Sequence, residues 1–283
     1  MRVGSALSGI DLIAQHNLLQ AYNQVNLSSV RLSTMQRINS GSDDPAGLIA
    51  VENLRAELTA VNEATDNAAR AGAVVRTADS ALGQVSDLLN TVRGNVVAAA
   101  SGGRSEAELA ALQMETDAAL EAINRIGNST SFGGEKLLDG SELTFVLSPD
   151  VSDVSTLSLP AISTSALGGP PGPLSDLASS GSASLADGDL TTAMEILDAA
   201  ASQVLEARAS LGAFEKYAIE SAVQVLDGME ENLSAAFSRI FDTDVAEENS
   251  RLVRSQILVN ASISSVLLAG QSRSQIGSLL GGT

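Results

Sequence analysis

Apolar residues along this chain recur mostly at helical spacing. Over residues 5–35, Ile10, Ile13, Ala14, Leu18, Ala21, Tyr22, Val25, Leu32 and Met35 fall at steps of three and four or their sums, which predicts one helix. Its opposite face is Ser, Asn and Gln rather than Lys and Glu. A freely solvated helix normally carries charge there. An amide face suits a helix surrounded by copies of itself, because burying charge is costly. Residues 44–100 predict a second, longer helix. Leu54, Val61, Ala68, Val75, Leu82, Leu89 and Val96 are spaced by seven, beside a partner stripe of Val51, Leu58, Thr65, Gly72, then Ala78, Val85, Val92 and Ala99. Sustained heptads predict a coiled coil, here a rod roughly 80 Å long. Ser101, Gly102 and Gly103 end it.

A third helix is predicted over 105–127, with Ser105 as its cap and Leu109, Leu112, Thr116, Ala119, Leu120, Ile123 and Ile126 on one face. The period then changes. Leu143, Phe145 and Leu147 alternate, Ser148-Pro149-Asp150 turns, and Val154, Leu157 and Leu159 follow, which predicts a small hairpin within 129–160. Residues 161–185 are rich in Gly, Ser and Pro and read as a loop with too little apolar content for a core of its own. Residues 187–241 predict a fourth helix with the seam Leu190, Met194, Leu197, Ala201, Val204, Arg208, Leu211, Glu215, Ala218, Ala222, Val225 and Met229, the natural partner of 51–99. Arg208 and Glu215 interrupt it, either as polar register pairs or as exposed positions at a widened seam.

A last helix over 243–276 carries two stripes, one of Val253, Ile257, Ala261, Ser264 and Leu268, the other of Leu252, Val259, Ile263 and Val266. Two apolar stripes need neighbours on more than one side. The two chain ends are therefore expected to pair with each other and with other copies, and to be disordered in a free monomer. The expected fold class is mainly α: an elongated antiparallel helical coiled-coil bundle with paired terminal helices and a small β-hairpin. Two domains follow. Residues 1–43 and 243–283 form the terminal-helix domain. Residues 44–242 form a coiled-coil domain holding the hairpin 129–160 and the loop 161–185.

Between the first two helices lies Arg31–Leu48, where Gly41, Ser42, Pro45 and Gly47 break the periodicity. Asp43 or Asp44 caps the next helix, with Pro45 at its first position. The segment reads as helix, polar elbow, helix.

Composition narrows the chemistry. The absence of Cys removes disulfides, thiolate catalysis and Cys-based zinc sites. The single His16 reads as a polar residue on a helix face. Aromatic content is 2%, so the core is built from small aliphatic side chains, which favours close helix packing over a deep pocket. Net charge is −18, yet residues 1–40 and 249–283 each carry more basic than acidic residues. The middle is thus strongly acidic, which argues against nucleic acid and anionic membrane as partners. No Walker loop, G-x-S-x-G, H-E-x-x-H or EF-hand loop is present, so no enzyme, cofactor or metal is expected. Adjacent acids at Asp43-Asp44 and Glu247-Glu248 read as capping and solvation. No unbroken apolar run predicts a membrane-spanning helix, and the N-terminus has no continuous apolar h-region of a secretory signal.

Several segments together resemble the bacterial flagellin family. Arg31-Leu32-Ser33, Arg37-Ile38-Asn39-Ser40 and Asp43-Asp44-Pro45-Ala46-Gly47-Leu48 are similar to the family's N-terminal signature. Asn128–Gly140 resembles its segment leading into the strands. Ser238–Ser250 with Gln256-Ile257-Leu258 resembles its C-terminal signature. These segments stand in the family's order and cover about residues 1–140 and 190–280. The resemblance implies a structural subunit, a homopolymer forming the extracellular filament of the bacterial flagellum, with 161–185 where relatives carry variable outer domains. It implies a flagellar type III export apparatus, a flagellin chaperone, and filament cap and hook-junction proteins as partners. A hook–filament junction protein, which shares this end architecture, is the alternative.

The resemblance also gives the elbow a role, the connection between inner and outer tubes, carried to Arg31, Arg37, Asn39, Asp43, Asp44 and Asp244. Arg31 and Arg37 would pair with Asp43, Asp44 or Asp244 of this chain or the next. Subunit packing would fall to Ile10, Ile13, Leu18, Val25, Val253, Ile257, Ile263 and Leu267. In many flagellins a vertebrate innate immune receptor grips the segment corresponding to Leu89–Gly102 through an Arg and a Leu. Thr91 and Asn95 stand there instead, while the acid further on is kept as Glu115, which implies weak receptor activation. Phe241 and Leu267–Gln271 also depart from the family pattern.

Overall fold

The computed structural model describes residues 2–186 and 188–280, and side-chain environments for 12–186, 188–272 and 274–275. The helices are α1 (Arg2–Thr34), α2 (Pro45–Ala100), α3 (Glu106–Ser129), α4 (Leu190–Phe214), α5 (Glu220–Phe241) and α6 (Val245–Leu280). Three antiparallel ribbons lie between α3 and α4: β1 (Ser131–Phe132) with β2 (Glu135–Lys136), β3 (Glu142–Val146) with β4 (Val154–Ser158), and β5 (Gly168–Gly169) with β6 (Gly172–Pro173). Contacts divide the chain into two units. One holds Met1–Leu58 and Asn232–Thr283, the other Thr59–Glu231.

The second unit carries the main core. Val61, Ala68, Val75, Leu82, Leu89 and Val96 of the heptad stripe are all buried, as are Ala78, Val85 and Val92 beside it. From Ala68 onward they pack with Leu197, Val204 and Leu211 of α4, in one cluster that also takes in Ile123 of α3. Ala193, Ile196, Ala200 and Ala207 are buried as well, a second stripe on α4 that faces the ribbons and loop and that the single seam did not predict.

Three ion pairs, Arg76–Glu215, Arg208–Asp79 and Arg93–Asp198, run in opposite chain directions along α2 and α4 and make the pairing antiparallel. The interruptions at Arg208 and Glu215 are thus polar partners of α2. Arg208 Nε donates to Asp79 Oδ1 at 2.8 Å. These pairs are half exposed and worth about 0–1 kcal/mol each, so they select register more than they stabilise.

The fourth helix departs from its predicted course at a π-helical turn, Glu215–Ile219. Such a turn accommodates one extra residue. The buried stripe therefore moves one position along the sequence, to Ile219 and Leu226, and the predicted seam residues Val225 and Met229 turn outward. The helix begins at Leu190, where the Asp189 carboxylate accepts from Thr191 N.

The hairpin forms as predicted, with Leu143 opposite Leu157 and both buried. The third helix starts at Glu106 behind a capping box in which Ser105 and Glu108 satisfy each other's backbone N–H groups.

The loop 161–185 is more ordered than its composition predicts. Ile162, Leu167, Leu174, Leu177 and Leu185 are buried in the main core. Three helix amides hold its backbone. Gln113 donates to Leu177 O at 2.9 Å and accepts from Leu185 N at 2.7 Å. Asn124 accepts from Thr164 N at 2.8 Å. Gln203 both donates to and accepts from Gly168. Each amide offers a donor and an acceptor, as a neighbouring strand would. The segment needs no core of its own because it borrows that of the helices.

In the first unit α1 and α6 pair with each other as antiparallel helices, as expected of the chain ends. The pairing covers only one face of each. Residues Val245–Ser272 are also long and apolar enough, by length and composition, to cross a membrane, contrary to the sequence expectation. From Ser255 onward Val, Ile, Leu and Ala alternate with Ser, Gln and Asn rather than with charges, which raises the average without an unbroken apolar run.

The π turn yields a test. Deleting Tyr217, which is exposed, should straighten the turn to α while leaving Ile219 and Leu226 on the seam. The deleted chain is expected to keep its helical content and melt cooperatively within a few degrees of the parent. Loss of cooperativity in a circular-dichroism melt would contradict this account.

Candidate assembly interface

The elbow is built from backbone groups and short side chains. α1 ends where Met35 adopts the left-handed region at φ 59°, a conformation that glycine or asparagine usually supplies after a helix. This reversal lets residues 35–37 lie antiparallel to residues 241–243. Arg37 N donates to Phe241 O at 2.7 Å and Thr243 N to Met35 O at 3.1 Å. Ile38 is then buried, and Asp43 Oδ2 accepts from Asn39 N at 3.0 Å and Ser40 N at 2.8 Å. The Asn39 amide donates to Gln36 O at 2.8 Å.

Of the two candidate caps, Asp44 is the one that closes α2, its Oδ1 accepting from Gly47 N at 2.9 Å. Gly47 packs against both the Asp44 carboxylate and Ile38, where an added Cβ would collide. Asp244 plays the same part at α6, accepting from Ala246 N at 2.9 Å and Glu247 N at 3.1 Å. Beyond the elbow, Arg55 lies over the rings of Phe237 and Phe241, 5.9 and 5.8 Å from their centroids.

The arginines find other partners than those expected. Among the described residues neither Arg31 nor Arg37 forms an ion pair with Asp43, Asp44 or Asp244. Arg31 lies 3.8 Å from Glu248 Oε2, and Arg37 is exposed. Glu248 is 5% exposed, accepts from Ser28 Oγ at 2.5 Å and lies 3.7 Å from Arg251. Reading Glu247-Glu248 as solvation holds for Glu247, which pairs outside with Arg251, but not for Glu248. Its place one step before Leu252, Ser255 and Val259 on a covered stripe was the available signal. Ser28 carried none.

The α1–α6 seam is made of small residues. Ala14, Ala21 and Ser28, spaced by seven, are buried on α1, and Ser255 and Val259 on α6. The large aliphatic side chains point away. Ile13, Val253, Ile257 and Leu267 are exposed, and so are Leu12, Leu19, Leu258 and Leu268. Leu18, Val25 and Ile263 are half-buried. The environment of Ile10 lies outside the described residues.

Elsewhere, Thr91 is exposed and donates to Asp87 O at 3.1 Å. Asn95 is buried against Thr116, which removes it from the surface. Glu115 is exposed on α3.

Two outcomes are expected at the elbow. The Asn39 and Ser40 N–H groups, helped by the Arg31 charge, hold the Asp43 carboxyl below its ordinary range. A carboxyl depressed on folding contributes stability above its unfolded value, about 3.9, and loses it as pH falls through the lower folded value. The Asn39 and Ser40 amide resonances should therefore titrate together below pH about 4, and should not do so in Asp43→Asn. Met35→Gly should raise stability by about 0.5–1 kcal/mol in urea unfolding by relieving the left-handed residue.

Comparison with known proteins agrees with this architecture. Residues 8–142 match the family model described as the bacterial flagellin N-terminal helical region, and residues 194–280 match the C-terminal helical region. The flagellin of Halalkalibacterium halodurans is 30% identical over 94% of this chain and 96% of its own length. That of Bacillus subtilis is 28% identical over 99% of this chain and 100% of its own. The B-type flagellin of Pseudomonas aeruginosa is 38% identical over 56% of this chain, which spans only 33% of that longer protein. A crystal structure of Bacillus cereus flagellin aligns over 59% of this chain and 88% of its own with a TM-score of 0.41. Terminal helices that pair through small residues, an elbow bearing the N-terminal signature, and matches at both ends of the chain have one common explanation: this chain belongs to the bacterial flagellin family.

Proposed function

We propose that the chain is a structural subunit that polymerises into the flagellar filament through the uncovered faces of α1 and α6. The observation that carries this is the inversion of size on those helices, with Ala and Ser inside the pair and Leu, Ile and Val outside. Covering one such aliphatic side chain contributes about 1.5–3 kcal/mol, so a neighbour's helix offers more than the intrachain seam does. Repetition of one heterologous contact that does not close builds a helical tube.

In this reading residues 1–43 and 243–283 form the inner part and 44–242 the coiled-coil part. Ile10, Ile13, Val253, Ile257 and Leu267 face neighbouring copies. The elbow residues Asn39, Asp43, Asp44 and Asp244 hold the connection, and the exposed Arg37 reaches a carboxylate of the next subunit. The chain's place is the extracellular flagellum. Its further partners are the type III export apparatus, a flagellin chaperone, and the cap and hook-junction proteins. Activity as an enzyme is no part of this reading. With Thr91 and the buried Asn95 in the receptor segment, purified monomer activates the innate immune receptor weakly.

Salting out the purified chain with short filament seeds, followed by negative-stain electron microscopy, tests the assembly. Long tubes of uniform width are expected from the parent chain. Ile257→Glu and Leu267→Glu should leave helical content unchanged and abolish them, since both positions are already exposed in the single chain. A folded parent chain that forms no tubes would overturn the reading in favour of a hook–filament junction protein.

A further inference from the structure

We propose that the polar cluster of Ser28 and Arg31 on α1 with the buried Glu248 on α6 sets the axial register in which the two helices pair. In the main core large buried side chains such as Leu82 and Leu211 pack together. Along the α1–α6 seam Val259 is the one large side chain among the buried residues, with Leu18, Val25 and Ile263 only half-buried beside it. Its buried positions on α1 are Ala14, Ala21 and Ser28, one heptad apart. Ser28 bonds Glu248, and seven residues along each helix Ala21 and Ser255 line one groove. Another seven along are Ala14 and Ser262. At these positions, sliding one helix past the other by a heptad exchanges Ala or Ser for Ala or Ser, with little change in shape.

The polar cluster does change. Slipped by one heptad, Glu248 would face Ala21 and lose the Ser28 hydroxyl and the Arg31 guanidinium, or would pass beyond the end of α1. It would keep only Arg251 of its own helix, and a buried carboxylate stripped of a hydrogen bond and a counter-charge is costly. A single buried polar position in an otherwise permissive seam is a known way to specify register at some expense of stability. The expense is visible here, because Arg31 Nε is buried without a hydrogen-bond acceptor.

The chain has no Cys, so engineered pairs report on one contact at a time. Three pairs are introduced separately into the full-length chain: Ala21→Cys with Ser255→Cys for the native register, and Ala14→Cys with Ser255→Cys or Ala21→Cys with Ser262→Cys for slips in either direction. They are oxidised at a dilution where links form within one chain. In the parent background only the 21–255 link is expected, since slipped partners lie beyond disulfide reach. In Ser28→Ala/Glu248→Ala, slipped links should rise severalfold against the native one, whereas Glu248→Gln, which keeps an acceptor for Ser28, should hold the native register. The 21–255 link alone in the double variant would overturn the proposal. So would loss of all three links with the second unit still folded, because the cluster would then supply pairing strength and not register. Register is read on a single chain, so the result is independent of whether the chain forms filaments.

Discussion

An α-helix with more apolar surface than one neighbour can cover must find a second neighbour, and this requirement separates the two units of the chain. In the second unit α2 and α4 meet it internally. Their stripes face each other, and the remaining apolar faces are closed by α3, the ribbons and the loop. Among the described residues of the first unit, no ribbon or loop plays that part. The helices α1 and α6 pair, and Leu12, Ile13, Leu19, Ile257, Leu258, Leu267 and Leu268 stay wet. One unit is finished as a folded object, and the other is finished only by association.

The elbow lies within the first unit and is built with little apolar material. Its stiffness comes from backbone pairing between residues 35–37 and 241–243, from two carboxylate caps, and from Asp43 gathering consecutive N–H groups. Its acids are committed to backbone donors. The nearby arginines are therefore left to partners further off, Glu248 for Arg31 and the open surface for Arg37. Within the single chain the charge pairs expected from sequence proximity do not form, because the Asp43, Asp44 and Asp244 carboxylates accept from backbone N–H groups.

Much of the fold was legible because heptad spacing is a direct statement about which side is buried. The stripe from Val61 to Val96 is buried throughout. The errors have local causes. At Glu215–Ile219 one extra residue enters the helix, and no composition signal marks it, so Val225 and Met229 were placed inside when Leu226 belongs there. In 161–185 the order comes from side chains far away in sequence, Gln113, Asn124 and Gln203, which a local reading cannot connect. At the candidate interface the residue types were legible but the direction was not. Leu18, Val25 and Ile263 lie partly inside the pair, while Ser28 draws no notice and Glu248 reads as solvated, although the two are hydrogen-bonded across the seam.

The amides that hold 161–185 grip its main chain and leave most of its side chains unused. Ser163, Ser165, Ala166 and Ser179 can change identity without disturbing any of the three anchors, since Gln113 and Gln203 bond peptide groups of the segment and Asn124 adds one side chain, Thr164. Such a segment behaves like a mounting rail whose fixings are separate from its load. Residues substituted at the exposed Ser165, Ala166 and Ser179 would be displayed by a scaffold whose own core remains intact, which makes this short chain a compact carrier for repetitive surface presentation.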